Sequence, residues 1–446
     1  NFVGNVDWRH VEIGLVCHRC AFSLLWVFYI SQRVLSSITK SGAQIKGRQI
    51  QRALPLKITK VTPWLIEAPL SYLDTADDDK DSGVMREYLF VEVNTDEGVT
   101  GWGEVTAKGP RARPICAGLE HVSDLIEGDD PRLIEKIWNK IFRAYTFMGS
   151  RGLTTNMISA VDIALWDIRG KVLGLPISEL FGGPVRDGIP IYCHPKHGSS
   201  VQDTAQHAKA IVETGQKAMK LDPFQPKHEE ESNGYLSGKL SPEAENLGVE
   251  QIAAMREAVG PDIEIMVDCH GRFDVPTAIR LGKALEPYNL WWFEEPVPVE
   301  STHALRQVRE NVSVPICVGE RLHTRWEFVP ILENELADFI MPDVTWTGGI
   351  SELKKIATMA ETYYIPISPH NAQGPGQILG GAHVSMSTPN FYRLEHALDF
   401  KSAYDHFMQE PFNWQGNKLI LNDKPGLGID LDMDAVRADL HPDWVV

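Results

Sequence analysis

The sequence predicts a (β/α)8 barrel preceded by an α+β domain. Short apolar runs typical of buried strands recur along the second half of the chain, and each ends on an acidic residue or a histidine. The end positions follow one another every 23 to 27 residues, the length of one strand–helix unit of such a barrel. At 446 residues, the chain is long enough for a full barrel and a second domain. The six end positions are Asp268, Glu294, Glu320, Asp343, His370 and Glu395.

The first residues of the chain do not follow this pattern, and we treat 1–55 as an atypical N-terminal extension. Its apolar run at 21–30 is too short to span a bilayer, and the residues after it do not resemble a signal-peptide cleavage site. Cys17 and Cys20 have no second cysteine pair with which to complete a zinc site, so we expect no zinc there.

Residues 56–185 have the pattern of an α+β domain. A strand is predicted over 57–70, and the stretch 88–105 predicts a hairpin whose Gly98 supplies the glycine that its turn needs. Helical periodicity then dominates from Cys116 to Leu180. Strands followed by helices in this order are typical of an α+β domain.

The barrel is expected over residues 186–400, with its strands lying between Ile189 and Glu395. This length is compact but allowed, because such barrels begin at roughly 200 residues. A polar insertion at 225–246 follows the second strand, and we expect it over the site or at an oligomer contact. The C-terminal segment, 401–446, contains hairpin and turn signals.

Three carboxylates, Asp268, Glu294 and Glu320, end three successive strands of the predicted barrel. Parallel strands of a barrel converge at one mouth, where these groups would repel one another unless a cation lay between them. Hard oxygen ligands suit Mg²⁺ better than zinc. The sequence therefore predicts one Mg²⁺ ion, with Mn²⁺ as a possible substitute. Taken singly, each residue could equally be a helix N-cap or a loop carboxylate.

The residues around these positions resemble the enolase superfamily, within it the mandelate racemase subgroup, and especially the galactonate-type sugar-acid dehydratases. The resemblance extends from about residue 56 to about residue 432. It implies that Asp268, Glu294 and Glu320 bind the metal and that Glu295 supports them. The motifs are VDCHGRF (267–273), WWFEEPVP (291–298), ICVGERL (316–322), MPDVTWTGGISE (341–352) and ISPHNAQGP (367–375).

The resemblance also implies how the domains cooperate. The segment 401–446 would return to complete a capping domain with 56–185, and the stretches 71–83 and 147–155 would be loops over the barrel mouth. Without the family order, both stretches are ordinary solvated turns.

His370 and Asp343 form the general-base dyad that the resemblance implies. A proton beside a carboxylate is hard to remove, so the site needs a positioned base and concentrated positive charge where the enediolate develops. Asp343 lies one strand away from His370, where it would accept a hydrogen bond from one imidazole nitrogen and raise the basicity of the other.

Lys220 and Asp222 stand two residues apart on the predicted second strand, and therefore on the same side of it. The subgroup commonly has two lysines here, the second acting as a base, so Asp222 departs from the pattern and weakens a racemase or epimerase hypothesis. We expect Lys220 to neutralise the substrate carboxylate or the enediolate. Alternatively, Lys220 is a buried lysine paired with Asp222.

His270 and Glu395 complete the candidate site. The galactonate-type dehydratases carry a histidine two residues after the first metal ligand, where it protonates the departing hydroxyl, and His270 matches it. The alternative is that His270 only supports Asp268. Glu395 matches a family position that offers a carboxyl group to the substrate. Alternatively, Glu395 only ends a strand and has no role in the site.

Composition limits the partners. A net charge of −17 argues against nucleic acid and anionic membranes, and leaves a small anionic substrate that local positive charge would bind. The six cysteines are scattered and indicate reduced residues of a cytoplasmic protein. We also expect a homo-oligomer.

The leading hypothesis is a Mg²⁺-dependent hydro-lyase that dehydrates an aldonate or aldarate to a 2-keto-3-deoxy acid, by α-proton abstraction through an enediolate. An epimerase, racemase or cycloisomerase with Lys220 opposite His370 is the alternative, and a non-enzymatic acid sensor is a third. A dinucleotide enzyme is disfavoured, because GPGQILG at 374–380 has the wrong glycine spacing and no preceding βαβ start.

Overall fold

The computed structural model describes residues 56–69, 85–106, 112–224, 238–396 and 401–442. The expectations for the N-terminal extension, for the loop 71–83 and for most of the insertion 225–246 fall outside the described residues.

The α+β domain begins with three antiparallel strands in the order β1, β2, β3, covered by helices. Gly98 has φ +75° in the turn between β2 and β3, and Gly174, also left-handed at φ +70°, ends the long helix α3. Leu65, Leu89 and Val91 of the sheet pack on the helices in one buried cluster. The elements are β1 (Ile58–Pro69), β2 (Met85–Thr95), β3 (Thr100–Val105), α1 (Ala112–Ile126), α2 (Ile134–Ala144), α3 (Leu153–Leu173) and α4 (Ile177–Leu180).

The barrel follows as alternating strands and helices, with each strand parallel to the next from β4 to β9. Its strands are β4 (Ile189–Cys193), β5 (Ala218–Leu221), β6 (Glu264–Asp268), β7 (Trp292–Glu294), β8 (Ile316–Val318), β9 (Phe339–Ile340) and β10 (Leu394–His396). Its helices are α5 (Val201–Glu213), α6 (Pro242–Val259), α7 (Val275–Leu285), α8 (Thr302–Arg309), α9 (Thr324–Glu333), α10 (Gly349–Thr362) and α11 (Pro375–Met386).

The position of the seventh barrel strand is held by isolated bridges. Ile367 bridges Ile340 on one side and Phe391 on the other, and β10 pairs with β4, so the cylinder closes. Pro366 and Pro369 flank this stretch and have no N–H to donate. This explains why the ladder of hydrogen bonds does not extend beyond isolated bridges here. The prediction of an eight-stranded parallel barrel with an α+β cap is confirmed.

The C-terminal segment serves both domains. Its hairpin, β11 (Asn413–Gln415) and β12 (Lys418–Ile420), adds to the barrel sheet beside β4. Further on, Leu440 bridges Ile66 of β1, so this part of the segment lies against the cap. The remaining helices are α12 (Lys401–Phe407) and α13 (Met433–Ala438). Among the described helices, none is both long and apolar enough to cross a membrane.

Candidate active site at the barrel mouth

Asp268, Glu294 and Glu320 meet at the C-terminal ends of β6, β7 and β8. They offer oxygen atoms that all lie within 4.8 Å of one another. Asp268 and Glu294 are also direct neighbours in the β6–β7 register. All three side chains are at most 9% exposed. The three carboxylates therefore form a buried, all-oxygen cluster of the size that one divalent cation needs.

Lys220 brings a buried positive charge into contact with this cluster. Its Nζ lies 2.7 Å from Glu294, 2.8 Å from Glu395 and 3.2 Å from Asp268. Burial alone would lower the pKa of Lys220, but the carboxylates of Glu294 and Glu395 outweigh burial and raise that pKa well above its usual value. Lys220 is thus fixed as a cation. The alternative pairing with Asp222 is not supported, because Asp222 contacts His270 and Arg272 instead.

The cluster still has an excess of negative charge. Burial and the neighbouring charge of Asp268 raise the pKa of Glu294 well above its usual value. Glu295 and Glu320 share the guanidinium of Arg321, which lies at the outer side of the cluster. One lysine and one arginine face five carboxylates here, so a further cation would be stabilised.

Two backbone conformations at this mouth are unusual for residues other than glycine. His270 has φ 52° two residues beyond the end of β6, and Glu295 has φ 38° directly beyond the end of β7. Such left-handed conformations cost of order 1–3 kcal/mol and cluster at functional sites. Here both conformations occur within two residues of a carboxylate of the cluster, Asp268 or Glu294.

His370 and Asp343 are held together as the sequence led us to expect. The Nδ1 atom of His370 lies 2.7 Å from Oδ2 of Asp343, and the two residues form a parallel bridge. Nε2 of His370 faces Glu320 at 3.4 Å and Glu395 at 3.8 Å. Burial alone would lower the pKa of His370, but these carboxylates outweigh it and raise the pKa to about 9.

A second carboxylate–imidazole pair stands at the ends of β5 and β6. Nδ1 of His270 lies 2.8 Å from Oδ2 of Asp222, whose Oδ1 accepts a 2.6 Å hydrogen bond from Arg272. The backbone N–H of His270 donates to Asp268 at 2.8 Å. Burial alone would lower the pKa of His270, but the charge of Asp268 and the bond to Asp222 outweigh it and raise the pKa. Both histidines therefore use Nδ1 to bind a carboxylate.

Glu395 is buried beside the cluster and carries two basic partners. Besides Lys220, it contacts Nε2 of His194 at 2.7 Å. Burial would raise its pKa, but Lys220, His370 and His194 outweigh burial and lower that pKa well below its usual value. Glu395 is therefore an ionised acceptor at the mouth.

Sequence analysis did not find His194, and it did not predict that Asp222 pairs with His270. Asp222 follows directly after β5, so strand alternation no longer fixes its direction, and it turns to His270 rather than to Lys220. His194 directly follows β4, the first barrel strand. A search of every strand-end position, including β4, could have found it by the same rule that located the other residues.

These features are typical of an enzyme active site at the mouth of a (β/α)8 barrel, with three carboxylates that could hold a metal ion. A family described as "Enolase C-terminal domain-like" matches residues 203–435, and the "Mandelate racemase / muconate lactonizing enzyme, N-terminal domain" matches residues 81–182. The chain belongs to the enolase superfamily, in its mandelate racemase/muconate lactonizing enzyme group.

Similarity to named relatives extends over most of the chain. A D-galactonate dehydratase of Ralstonia pickettii is 35% identical over 365 residues, covering 80% of this chain and 92% of the relative. A D-xylonate dehydratase of Haloferax volcanii is 33% identical, covering 79% and 85%. The crystal structure of an enolase superfamily member from Salmonella Typhimurium has a TM-score of 0.76 at 29% identity, covering 86% of this chain and 98% of that one.

Proposed function

We propose that the protein dehydrates a sugar acid, an aldonate or an aldarate, to a 2-keto-3-deoxy acid. The observation that supports this most directly is the presence of two separate carboxylate–imidazole pairs, His370–Asp343 and His270–Asp222, on either side of one carboxylate cluster. Dehydration needs a group that removes a proton and a second group that delivers one. Relatives named for galactonate, xylonate and mannonate dehydration at 32–35% identity support the same reaction class.

Asp268, Glu294 and Glu320 would hold one Mg²⁺ ion, for which Mn²⁺ could substitute. The donor set fits, because it consists of three buried carboxylates close enough to share one ion and contains no sulfur or nitrogen ligand. When bound, the ion would supply positive charge that stabilises developing negative charge on the substrate carboxylate. Glu295 would hold Arg321 next to these ligands.

His370 is the proposed general base. In the neutral imidazole, Asp343 accepts the Nδ1 proton, which leaves the Nε2 lone pair to take the α-proton of the substrate. A cation held by the neighbouring Glu320 would favour this neutral form, because it would offset carboxylate charge that raises the pKa of His370. The electron pair of the broken C–H bond moves into the substrate carboxylate and gives the enediolate. Lys220 is a fixed cation nearby, so it stabilises this charge without changing its own protonation.

His270 is the proposed general acid. Asp222 holds its Nδ1, so Nε2–H can be given to the β-hydroxyl as the carbon–oxygen bond breaks and water leaves. The enol that remains becomes the 2-keto-3-deoxy acid after a proton is added at carbon 3. Glu395 is ionised and accepts hydrogen bonds, which suits contact with a substrate hydroxyl or carboxyl group.

Epimerisation with Lys220 as the second base gains no support from the geometry. The Lys220 ammonium contacts three carboxylates and is 3% exposed, so it lacks the lone pair that a base needs.

A screen of aldonates and aldarates for keto-acid formation tests the proposal. Semicarbazide detects the 2-keto-3-deoxy product, and galactonate, xylonate and mannonate form the first set because the relatives are named for them. We expect at least one acid to give a keto acid, with loss of its β-hydroxyl seen by NMR. Solvent deuterium in recovered acid without any keto acid would favour an epimerase instead.

Asp343→Asn is expected to lower kcat by about 10²–10⁴-fold with little change in KM. The amide cannot accept the Nδ1 proton in the same way, so the tautomer of His370 changes, and a comparable change in a serine protease costs about 10⁴ in rate. Steady-state kinetics on the best acid of the screen measures the effect. The matched control is Asp338→Asn, at a barrel carboxylate that pairs with Arg309 away from the mouth. An unchanged kcat in Asp343→Asn would show that Asp343 does not orient His370.

A further inference from the structure

Glu104 is a fully buried carboxylate that the cap inserts toward the barrel. On strand β3, Gly103 lies against Ala160 of α3, and the next residue points to the opposite face. There the Glu104 side chain accepts three backbone N–H groups at the start of α11, namely those of Gly374 at 2.6 Å, Gly376 at 2.7 Å and Gln377 at 3.0 Å. This loop begins directly after His370.

The same loop is connected to the candidate base by a side chain. Nε2 of Gln377 donates to Oδ2 of Asp343 at 2.7 Å, the oxygen that also contacts His370. On the other side of the carboxylate, Thr345 donates to Oδ1 of Asp343 at 2.7 Å, and Thr106 of the cap contacts the Thr345 hydroxyl at 2.6 Å. The cap thus reaches both oxygens of Asp343 through one intermediate residue each.

We propose that Glu104 is a positioning residue, by which the capping domain holds the 371–377 loop and, through Gln377, fixes Asp343 and His370 in the geometry for proton abstraction. This role rests on the proposed function, since it assigns Glu104 to the dyad of that reaction. It also gives the cap a part in the chemistry that is separate from covering the substrate.

The cost of burying Glu104 supports a specific role. The carboxylate is 0% exposed, and burial raises its pKa to about 8 against the lowering effect of the three backbone N–H donors. An apolar residue would avoid this cost, but it would leave the three N–H groups at the helix start without these acceptors.

The glycines of the GPGQILG motif are explained by the same contact. A Cβ at Gly374 would lie 2.4 Å from Oε1 of Glu104, and one at Gly376 would lie 3.0 Å from Oε2. These positions therefore need glycine so that a side chain from another domain can approach the backbone closely. The motif serves the contact with Glu104 rather than a dinucleotide.

Two variants separate the steps of this arrangement. Glu104→Gln keeps the size of the side chain but turns an NH₂ toward at least one backbone N–H. We expect faster hydrogen exchange at the amides of Gly374, Gly376 and Gln377, and a kcat about 10–100-fold lower with KM nearly unchanged, since a shift of about 1 Å can cost 10²-fold. Gln377→Leu keeps its backbone N–H on Glu104, so it should lower kcat while the loop remains protected.

The controls make the proposal specific. Glu97→Gln alters an exposed carboxylate in the β2–β3 turn of the same hairpin and should change neither exchange nor kcat. When Asp343→Asn is already present, adding Glu104→Gln should lower kcat further by less than threefold, because both changes act on the same dyad. Fully additive effects would overturn the proposal. If hydrogen exchange at the amides of Gly374, Gly376 and Gln377 is unchanged in Glu104→Gln, the proposal is overturned whether or not the protein dehydrates sugar acids. The proposal is also overturned if these amides exchange faster but kcat stays normal.

Discussion

Exhaustive chelation with EDTA is expected to abolish turnover, and added Mg²⁺ or Mn²⁺ is expected to restore it. Asp268, Glu294 and Glu320 place three buried carboxylates around one point, where only part of their charge is offset by Lys220. A metal ion supplies several kcal/mol of charge stabilisation in such reactions, and each 1.36 kcal/mol is tenfold in rate, so the loss should be at least about 10³-fold.

Binding is measured separately from activity. Titration calorimetry on the metal-free protein should show one Mg²⁺ per chain, and Glu320→Gln should weaken binding because it removes a charged ligand at the edge of the cluster. Glu327→Gln is the matched control, since Glu327 lies on α9 and pairs with Arg151 instead. Circular dichroism checks that the chelated protein stays folded. Full turnover after chelation would disprove the metal site.

The barrel was predictable because polar residues recur once in each strand–helix unit. Six strand ends carry an acidic residue or a histidine at or just beyond the strand, so the interval of 23 to 27 residues located β6 to β10 and these residues. The turn at Gly98 and the helix end at Gly174 were predictable for a local reason, since both need a left-handed backbone.

Contacts between distant segments were not predictable in this way. Asp222 pairs with His270 across 48 positions of sequence, and the choice between His270 and Lys220 depends on how the chain turns after β5. Glu104 contacts Gly374 across 270 positions, and strand periodicity says only that its side of β3 is buried. The short seventh strand also differs from the regular unit, because prolines remove its hydrogen-bond donors.

The two histidines are expected to fail at different steps when each is replaced. His370→Asn should abolish both keto-acid formation and exchange of the α-hydrogen with solvent, because the base that starts the reaction is gone. His270→Asn should lower dehydration by about 10²–10⁴-fold, the usual contribution of general acid–base catalysis, yet leave the enediolate able to form and return.

Proton NMR of substrate recovered from D₂O distinguishes these outcomes. The His270→Asn variant should place deuterium at carbon 2, provided that the proton on His370 exchanges with solvent before it returns. The control is His303→Asn, at an exposed histidine of α8, which should behave as the unaltered protein. Exchange that survives in His370→Asn but not in His270→Asn would reverse the two roles. Keto acid formed at the normal rate by His270→Asn would remove that residue from the mechanism, since the hydroxyl would then leave without a proton from His270.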